Sequence, residues 1–191
     1  MIYHSALKNI KEIELEDIDG FYKDKYGNIV FKYDINNGFS KIFQDCDCVY
    51  IEPAWKHGFV EFNKRSSTKN NITFEQYNKN ILSIIKKLKK PTAVIISKTL
   101  INFFNPDYII DTKIHNYDCK CALWNFNLDF DKYKNNFLII EEMSSKFNTV
   151  LDFCCGYGNT ASIFYKKNKK FICSDYNGKC INYIKTNIMG I

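Results

Sequence analysis

The stretch VLDFCCGYGNT at residues 150–160 decides the expected fold. It begins as a short apolar strand ending in Asp152, turns at Gly156 and Gly158, and continues into a helical segment, after which the run FICSD ends in Asp175. Glycines let the backbone approach a ligand closely, and an acid after the second strand can accept hydrogen bonds from ribose hydroxyls. This βαβ unit therefore suits a nucleotide-like ligand. An ordinary tight strand-to-helix turn is the alternative interpretation.

The rest of the chain alternates strand-like and helix-like patterns. Short apolar runs rich in β-branched or aromatic residues predict buried parallel strands at residues 49–51, 93–97, 149–153 and 170–174. Helical spacing of apolar residues predicts crossover helices over residues 74–88 and 181–188. Residues 21–33 predict a hairpin about Gly27 and Asn28, and residues 107–128 predict an antiparallel pair at the sheet edge. We expect an α/β fold with helices on both faces of a mostly parallel sheet.

Length and composition agree with one globular domain. The chain has 191 residues, of which 46% are hydrophobic and 25% charged, values that exclude collagen-like, coiled-coil and disordered classes. No apolar run approaches the roughly 18 residues of a membrane span, and the first residues lack the apolar core of a signal peptide. We therefore expect a cytoplasmic protein without a membrane partner.

Charge and cysteine content bear on partners and metals. The formal net charge of +6 comes almost wholly from lysine, which suits loose phosphate contact, although a solvated surface is the alternative. A basic loop is predicted at residues 56–71. Eight cysteines include two C-x-C pairs, Cys46 with Cys48 and Cys119 with Cys121. Each pair is either a zinc half-site or two small core residues. Because tetrahedral zinc sites favour C-x2-4-C spacings, we predict no metal. We also expect the thiols to be reduced.

The glycine-containing run resembles the first motif of the S-adenosylmethionine-dependent methyltransferases, with Asp152, Gly156, Gly158 and Thr160 on the pattern. The resemblance implies that S-adenosylmethionine is the cofactor, that both glycines pass beside its methionine part, and that Asp175 holds its ribose. Phe153 and Cys154 stand where proline and phenylalanine are usual. A dinucleotide is the alternative ligand, since Ala161 occupies the place of the third glycine of that fingerprint.

A second run, VYIEPAW at residues 49–55, is a buried strand opening onto an acid, a proline and an aromatic ring. It resembles the catalytic [D/N/S]-P-P-[Y/F/W] motif of methyltransferases that modify exocyclic amines. The resemblance implies that Glu52 and the Pro53 carbonyl accept the hydrogens of the amine and that Trp55 stacks on a flipped base. A strand end with a structural tryptophan is the alternative. This copy has Glu52 for Asp or Asn and Ala54 for the second proline, and degenerate versions of the motif occur in non-catalytic partners.

The catalytic-type motif precedes the glycine motif by about a hundred positions. This order resembles the circularly permuted, beta-type nucleic-acid amino-methyltransferases that act on adenine N6 or cytosine N4. The resemblance implies a Rossmann-like methyltransferase domain over residues 1–191, with a catalytic-motif half at 1–130 and a cofactor-binding half at 131–191. Residues 2–6 would form the displaced third strand.

The space between the two motifs holds no separate target-recognition domain. Selectivity would come from the 56–71 loop, the 21–33 hairpin or a partner subunit. The function implied is methylation of adenine N6, in DNA rather than RNA. The alternative is a catalytically silent, cofactor-binding scaffold or regulatory subunit.

Overall fold

A computed structural model describes residues 12–13, 20–55, 58–60, 72–114, 116–126 and 135–191. In these ranges the strands are β1 (Glu12–Ile13), β2 (Tyr22–Lys23), β3 (Ile29–Lys32), β4 (Phe39–Ser40), β5 (Cys48–Ile51), β6 (Thr92–Ile96), β7 (Tyr108–Ile114), β8 (Tyr117–Trp124), β9 (Thr149–Asp152) and β10 (Lys170–Asp175). The α-helices are α1 (Phe74–Leu88), α2 (Ile101–Phe104), α3 (Asn136–Lys146), α4 (Asn159–Lys166) and α5 (Gly178–Ile184). Three 3-10 turns cover Ile35–Asn37, Lys41–Asp45 and Lys98–Leu100, and a π-helical segment, Lys185–Met189, continues α5.

Eight strands form one sheet in the order β2-β3-β10-β9-β5-β6-β8-β7. The central strands from β3 to β6 run parallel, whereas β8 and β7 on one edge and β2 on the other are antiparallel to their neighbours. Strands β1 and β4 pair separately. The expected mostly parallel sheet with an antiparallel edge pair is confirmed, as are the four predicted strands at β5, β6, β9 and β10.

Helices cover both faces of the sheet because successive strand residues point to opposite sides. On one face, Tyr50, Val150 and Phe171 belong to a first hydrophobic cluster that α3, α4 and α5 cover. On the other face, Ile51 and Leu151 belong to a second hydrophobic cluster that α1, α2 and the 3-10 turns of residues 35–45 cover. The predicted helices over residues 74–88 and 181–188 are thereby confirmed as α1 and as α5 with its π-helical continuation.

The predicted hairpin of residues 21–33 is present, but its second strand has a further role. Asp24 accepts hydrogen bonds from the backbone and side-chain nitrogens of Asn28 at 2.9 and 2.8 Å, which closes the turn at Gly27, where φ is +87°. Strand β3 then lies parallel beside β10, with Ile29 opposite Ile172. The third strand predicted for residues 2–6 lies outside the described residues. Because its side chains are buried on both faces, β3 suits the sheet interior.

The helices of the described ranges offer no segment with the length and apolar character that a membrane crossing requires. The eight cysteines carry free thiols, and the two C-x-C pairs are buried in the hydrophobic clusters. No group of three or more His, Cys, Asp or Glu side chains in the described part of the chain is placed to hold a metal ion.

Candidate functional site

Four neighbouring parallel strands each end at an acid. Asp175 and Asp152 are the last residues of β10 and β9, Glu52 follows β5 directly, and Asp34 lies two residues after β3. The carboxyl ends of parallel strands meet at one edge of the sheet, and in open α/β sheets ligands bind in the crevice outside this edge. The row of acids therefore marks the edge where a ligand is expected.

A cavity of about 220 Å³ opens at this edge. It is lined by Tyr33, Asp34, Ile35, Asn36, Glu52, Ala54, Phe59, Ile72, Tyr77, Phe153, Cys154, Gly156, Asp175 and Tyr176. The lining combines three carboxyl groups with aromatic and aliphatic walls. Such a surface suits a ligand that carries positive charge and hydroxyl groups together with an apolar ring.

Gly156 and Asp175 form one unit of the cavity wall. The Gly156 N–H donates to Asp175 Oδ2 at 2.9 Å, and the Asn177 N–H donates to Asp175 Oδ1 at 2.8 Å. Each carboxylate oxygen can accept more than one hydrogen bond, so both retain capacity for a ligand. Burial raises the pKa of Asp175, while these two N–H groups act in the opposite direction. Gly156 has φ of +49°, and a Cβ built on it would meet no atom within 4 Å.

The motif implies that Gly158 lies beside the cofactor, but in the structure this glycine faces the side chains of Ile184 and Ile188. Its φ is +84°, and a Cβ at this position would lie 2.7 Å from Ile184 Cγ1 and 3.0 Å from Ile188 Cδ1. Residue 158 is also not among those that line the cavity. The glycine thus allows α5 and its continuation to pack tightly on the start of α4, which is a structural requirement.

Asp152 and Thr160 bind each other. Thr160 Oγ1 donates to Asp152 Oδ2 at 2.7 Å, and the Cys154 N–H donates to Asp152 Oδ1 at 3.1 Å. Burial raises the pKa of Asp152 to about 7, and the charges of Glu52 and Asp175 add to this rise. Both side chains are buried and neither lines the cavity, so they hold the loop between β9 and α4 in shape.

The segment after β5 is held by side chains from two helices. Asn136 Nδ2, at the start of α3, donates to Glu52 Oε2 at 3.1 Å. The Ala54 N–H, a donor that a proline would lack, donates to Tyr77 Oη of α1 at 3.2 Å. The same Tyr77 oxygen lies 3.7 Å from Cys154 Sγ in the glycine-containing loop. Tyr77 thereby connects the two segments that the sequence singled out, and burial raises its pKa well above the usual value.

Trp55 and Pro53 lie beside the cavity lining rather than in it. Trp55 is half-buried and packs against the first hydrophobic cluster, and its carbonyl accepts the Phe59 N–H at 2.7 Å. Pro53 is buried. Of the residues singled out from the sequence, the structure thus brings Glu52, Gly156 and Asp175 together in the cavity. It places Pro53, Trp55, Asp152, Gly158 and Thr160 around it.

Several lining residues escaped the sequence analysis. Asp34 carries the same signal as Asp175, an acid after a strand, but the local hairpin pattern of residues 21–33 does not show that β3 lies beside β10. Tyr77 lies on the apolar face of α1, and the spacing of that face predicts packing without showing where the hydroxyl binds. In the predicted basic loop of residues 56–71, only 58–60 are described, and Phe59 there packs 5.0 Å from the Tyr77 ring. Its charged residues Lys56, His57, Lys64, Arg65 and Lys69 lie outside the described residues.

Comparisons with known proteins agree with this architecture at the level of the fold. No family model and no curated protein matches the chain. The crystal structure of M1.HpyAVI matches with a TM-score of 0.50 and 15% identity, and that of its complex with SAM with a TM-score of 0.53 and 12% identity. Each match covers 82% of this chain and 96% of the other.

A third solved structure is that of TTHA0409 from Thermus thermophilus, described as a proposed DNA modification methylase and complexed with S-adenosyl-L-methionine. It has a TM-score of 0.48 and 8% identity, over 72% of this chain and 83% of the other. The match to M1.HpyAVI, together with the strand order, defines the class: the chain has a Rossmann-like methyltransferase fold.

Proposed function

We propose that the protein is an S-adenosylmethionine-dependent methyltransferase that acts on an exocyclic amine of a nucleic-acid base, with adenine N6 in DNA as the favoured target. The observation that carries the proposal is the meeting of Glu52 with Gly156 and Asp175 in one cavity. The first belongs to the catalytic-type segment and the others to the glycine-containing unit. Their order in the chain agrees with the circularly permuted arrangement, and the SAM complex of M1.HpyAVI supports the cofactor.

The cavity lining suits S-adenosylmethionine in charge and in hydrogen-bonding capacity. The ligand carries a positive sulfonium, an ammonium group and ribose hydroxyls, and the lining offers three carboxyl groups. Asp175 has acceptor capacity left for hydroxyls, and the space beside Gly156 is open where a side chain would intrude. The cofactor supplies an electrophilic methyl group, whereas the residues of this chain bind it and orient the acceptor.

Each residue of the catalytic-type segment has a proposed task. The nitrogen of an aromatic amine is a poor nucleophile because its lone pair is delocalised into the ring. The Glu52 carboxylate and the Pro53 carbonyl accept the hydrogens of this amine, and Trp55 stacks on the base. The hydrogen bond between Asp152 and Thr160 stabilises the loop between β9 and α4, which contains Gly156.

The proposed partners follow from charge and size. A net charge of +6 favours a polyanion such as DNA, and the 56–71 segment contains several basic residues close in sequence to the cavity residue Phe59. We further propose that residues 1–191 act as a single methyltransferase-like domain, in which this segment or a partner subunit selects the target. The proposed location is the cytoplasm.

A second candidate function is that of a catalytically silent S-adenosylmethionine-binding scaffold or regulatory subunit. The observations that favour it are the Glu52 and Ala54 departures from the motif and the packing of Trp55 against the first hydrophobic cluster. Both candidates require cofactor binding, so binding alone does not separate them.

The deciding experiment incubates the protein with methyl-labelled S-adenosylmethionine and either DNA or RNA, followed by analysis of the released nucleosides. Label in N6-methyladenine from DNA is the expected result, and cofactor binding without label in any nucleoside would favour the scaffold. Calorimetry on Asp175→Ala should show weakened cofactor binding, with Asp118→Ala, an exposed acid on β8, as the matched control. Equal affinity in both variants and the unmodified protein would refute the cofactor site.

A further inference from the structure

Asn136 is the residue that the sequence left unassigned and the site geometry singles out. We infer that Asn136 is a positioning residue that anchors the Glu52 carboxylate at the cavity, so that the Glu52–Asn136 pair performs the task of the shorter acid in the family motif. This inference rests on the proposed function, because the anchored carboxylate is the acceptor for the amine. Its geometric basis is the 3.1 Å hydrogen bond from Asn136 Nδ2 to Glu52 Oε2.

The anchor stands on a rigid element. Asn136 is the first residue of α3, and the helix is fixed to the first hydrophobic cluster by Ile139, Ile140 and Met143, all of which are fully buried. Capping of α3 is done by Asn135, whose Oδ1 accepts the Leu138 N–H at 3.1 Å. The Asn136 side chain is therefore not needed as the cap. Its amide points instead across 84 positions of sequence to Glu52.

A buried amide side chain costs stability unless its polar atoms form hydrogen bonds. Asn136 is 2% exposed, and its Oδ1 has no hydrogen-bond partner among the described residues. A buried polar atom without a partner is destabilising, so packing alone favours an apolar residue at this position. The bond to Glu52, beside a side-chain interaction with the buried Tyr50 hydroxyl, accounts for an amide here.

Glutamate also needs an anchor more than aspartate does. Its additional methylene adds a rotatable bond and more rotamers, which spread the carboxylate over several positions. Replacing Glu52 by Asp would withdraw the carboxylate by about one C–C bond, roughly 1.5 Å, and take it out of hydrogen-bond range of Asn136. Restoring the commoner motif residue by Glu52→Asp is thus expected to lower the methylation rate.

The test uses Asn136→Asp, which keeps the shape of the side chain but replaces the amide donor by a carboxylate facing Glu52. Because a misplacement of about 1 Å costs a catalytic group up to roughly 100-fold, we expect kcat to fall about 10- to 100-fold while the cofactor dissociation constant stays within about twofold. The matched control is Asn135→Ala, which removes the helix cap and lowers stability but leaves the Glu52 contact and kcat in place. Equal loss of kcat in both variants would show that only α3 stability matters and would overturn the inference.

A second comparison reverses the hydrogen bond. In the double variant Glu52→Gln with Asn136→Asp, the amide NH2 of residue 52 donates and residue 136 accepts, so the single amide oxygen of residue 52 remains an acceptor for the amine. We expect Asn136→Asp to lower kcat at least tenfold when residue 52 is Glu and less than twofold when it is Gln. The same loss in both backgrounds would overturn the inference. If Glu52→Gln alone has no measurable turnover, the inference is tested instead by the effects of the single and double substitutions on urea unfolding.

Failure of the proposed function is recognised separately, by the absence of methylation in the unmodified protein. In that case, or when turnover is too low to compare, urea unfolding of Glu52→Ala, Asn136→Ala and the double variant decides whether the anchor exists. Coupling of about tenfold or more in the unfolding equilibrium constant supports it. Additive effects of the two substitutions would refute it, whatever the activity of the protein.

Discussion

The contact between Gly158 and α5 leads to the most direct prediction, on the substitution Gly158→Ala. Two terms contribute to its effect. An L-residue at φ of +84° is strained by about 1–2 kcal/mol. The new Cβ would also lie 2.7 Å from Ile184 Cγ1, and relief of such overpacking typically costs about 1–3 kcal/mol. We therefore expect a loss of about 2–5 kcal/mol in the free energy of unfolding.

The chain offers a matched control in Gly190→Ala. Gly190 has φ of +71°, close to that of Gly158, but a Cβ there would meet no atom within 4 Å. The control should thus lose only the strain of about 1–2 kcal/mol. Both variants are compared by urea unfolding and by calorimetry, in which 1 kcal/mol corresponds to about 2–4 °C for a chain of this size.

A third variant tests the identity of the contact. Ile184→Ala alone should destabilise by about 2–5 kcal/mol, because Ile184 is fully buried. Combined with Gly158→Ala it removes the two close atoms of Ile184 and leaves Ile188 Cδ1 at 3.0 Å, so the double variant should be more stable than the sum of the single effects by about 1–3 kcal/mol. The reasoning would be refuted if Gly158→Ala lost no more stability than Gly190→Ala, or if the two effects at 158 and 184 were additive.

Three further results are expected. Tyr77→Phe removes the acceptor of the Ala54 N–H and should lower the free energy of unfolding, measured in urea, by about 1 kcal/mol. The control Tyr157→Phe, at an exposed ring, should leave it unchanged. Equal effects of the two substitutions would contradict the hydrogen bond of Tyr77. Because burial raises the pKa of Asp152 from 3.8 to about 7, the folded state binds a proton more tightly than the unfolded one. Stability relative to Asp152→Asn should hence fall as the pH rises from about 4 through 7, and a pH-independent difference would argue against the burial. DNA affinity should drop by about 10³–10⁵ between 50 and 200 mM salt if six to ten phosphates are contacted, and a flat response would point to a different substrate.

The strands of the sheet were predictable, but one neighbour relation was not. Strands β5, β6, β9 and β10 are short apolar runs between turn residues, and such runs are buried whatever surrounds them. The hairpin at Gly27 is equally local, since Asp24 and Asn28 close it within five residues. That β3 also pairs with β10 depends on contacts across about 140 positions, which no local pattern contains.

The candidate site likewise contains some residues that the sequence reveals and others that only the tertiary structure reveals. Glu52 and Asp175 were recognisable because an acid at the end of a parallel strand reaches the ligand edge wherever the strand lies in the sheet. Asn136 and Tyr77 were not recognisable, because each acts through a hydrogen bond to a residue 84 or 23 positions away. Their own segments show only the start of a helix and an apolar helix face.

The two glycines of the loop show most clearly what each level of description decides. The sequence by itself determined that the chain turns between β9 and α4, because both glycines adopt positive φ values that other residues disfavour. It did not distinguish Gly156, which faces open space at the cavity, from Gly158, which faces Ile184. That difference was decided only by the tertiary structure, since α5 begins twenty residues after Gly158 and its packing against the loop determines which glycine has room for a ligand.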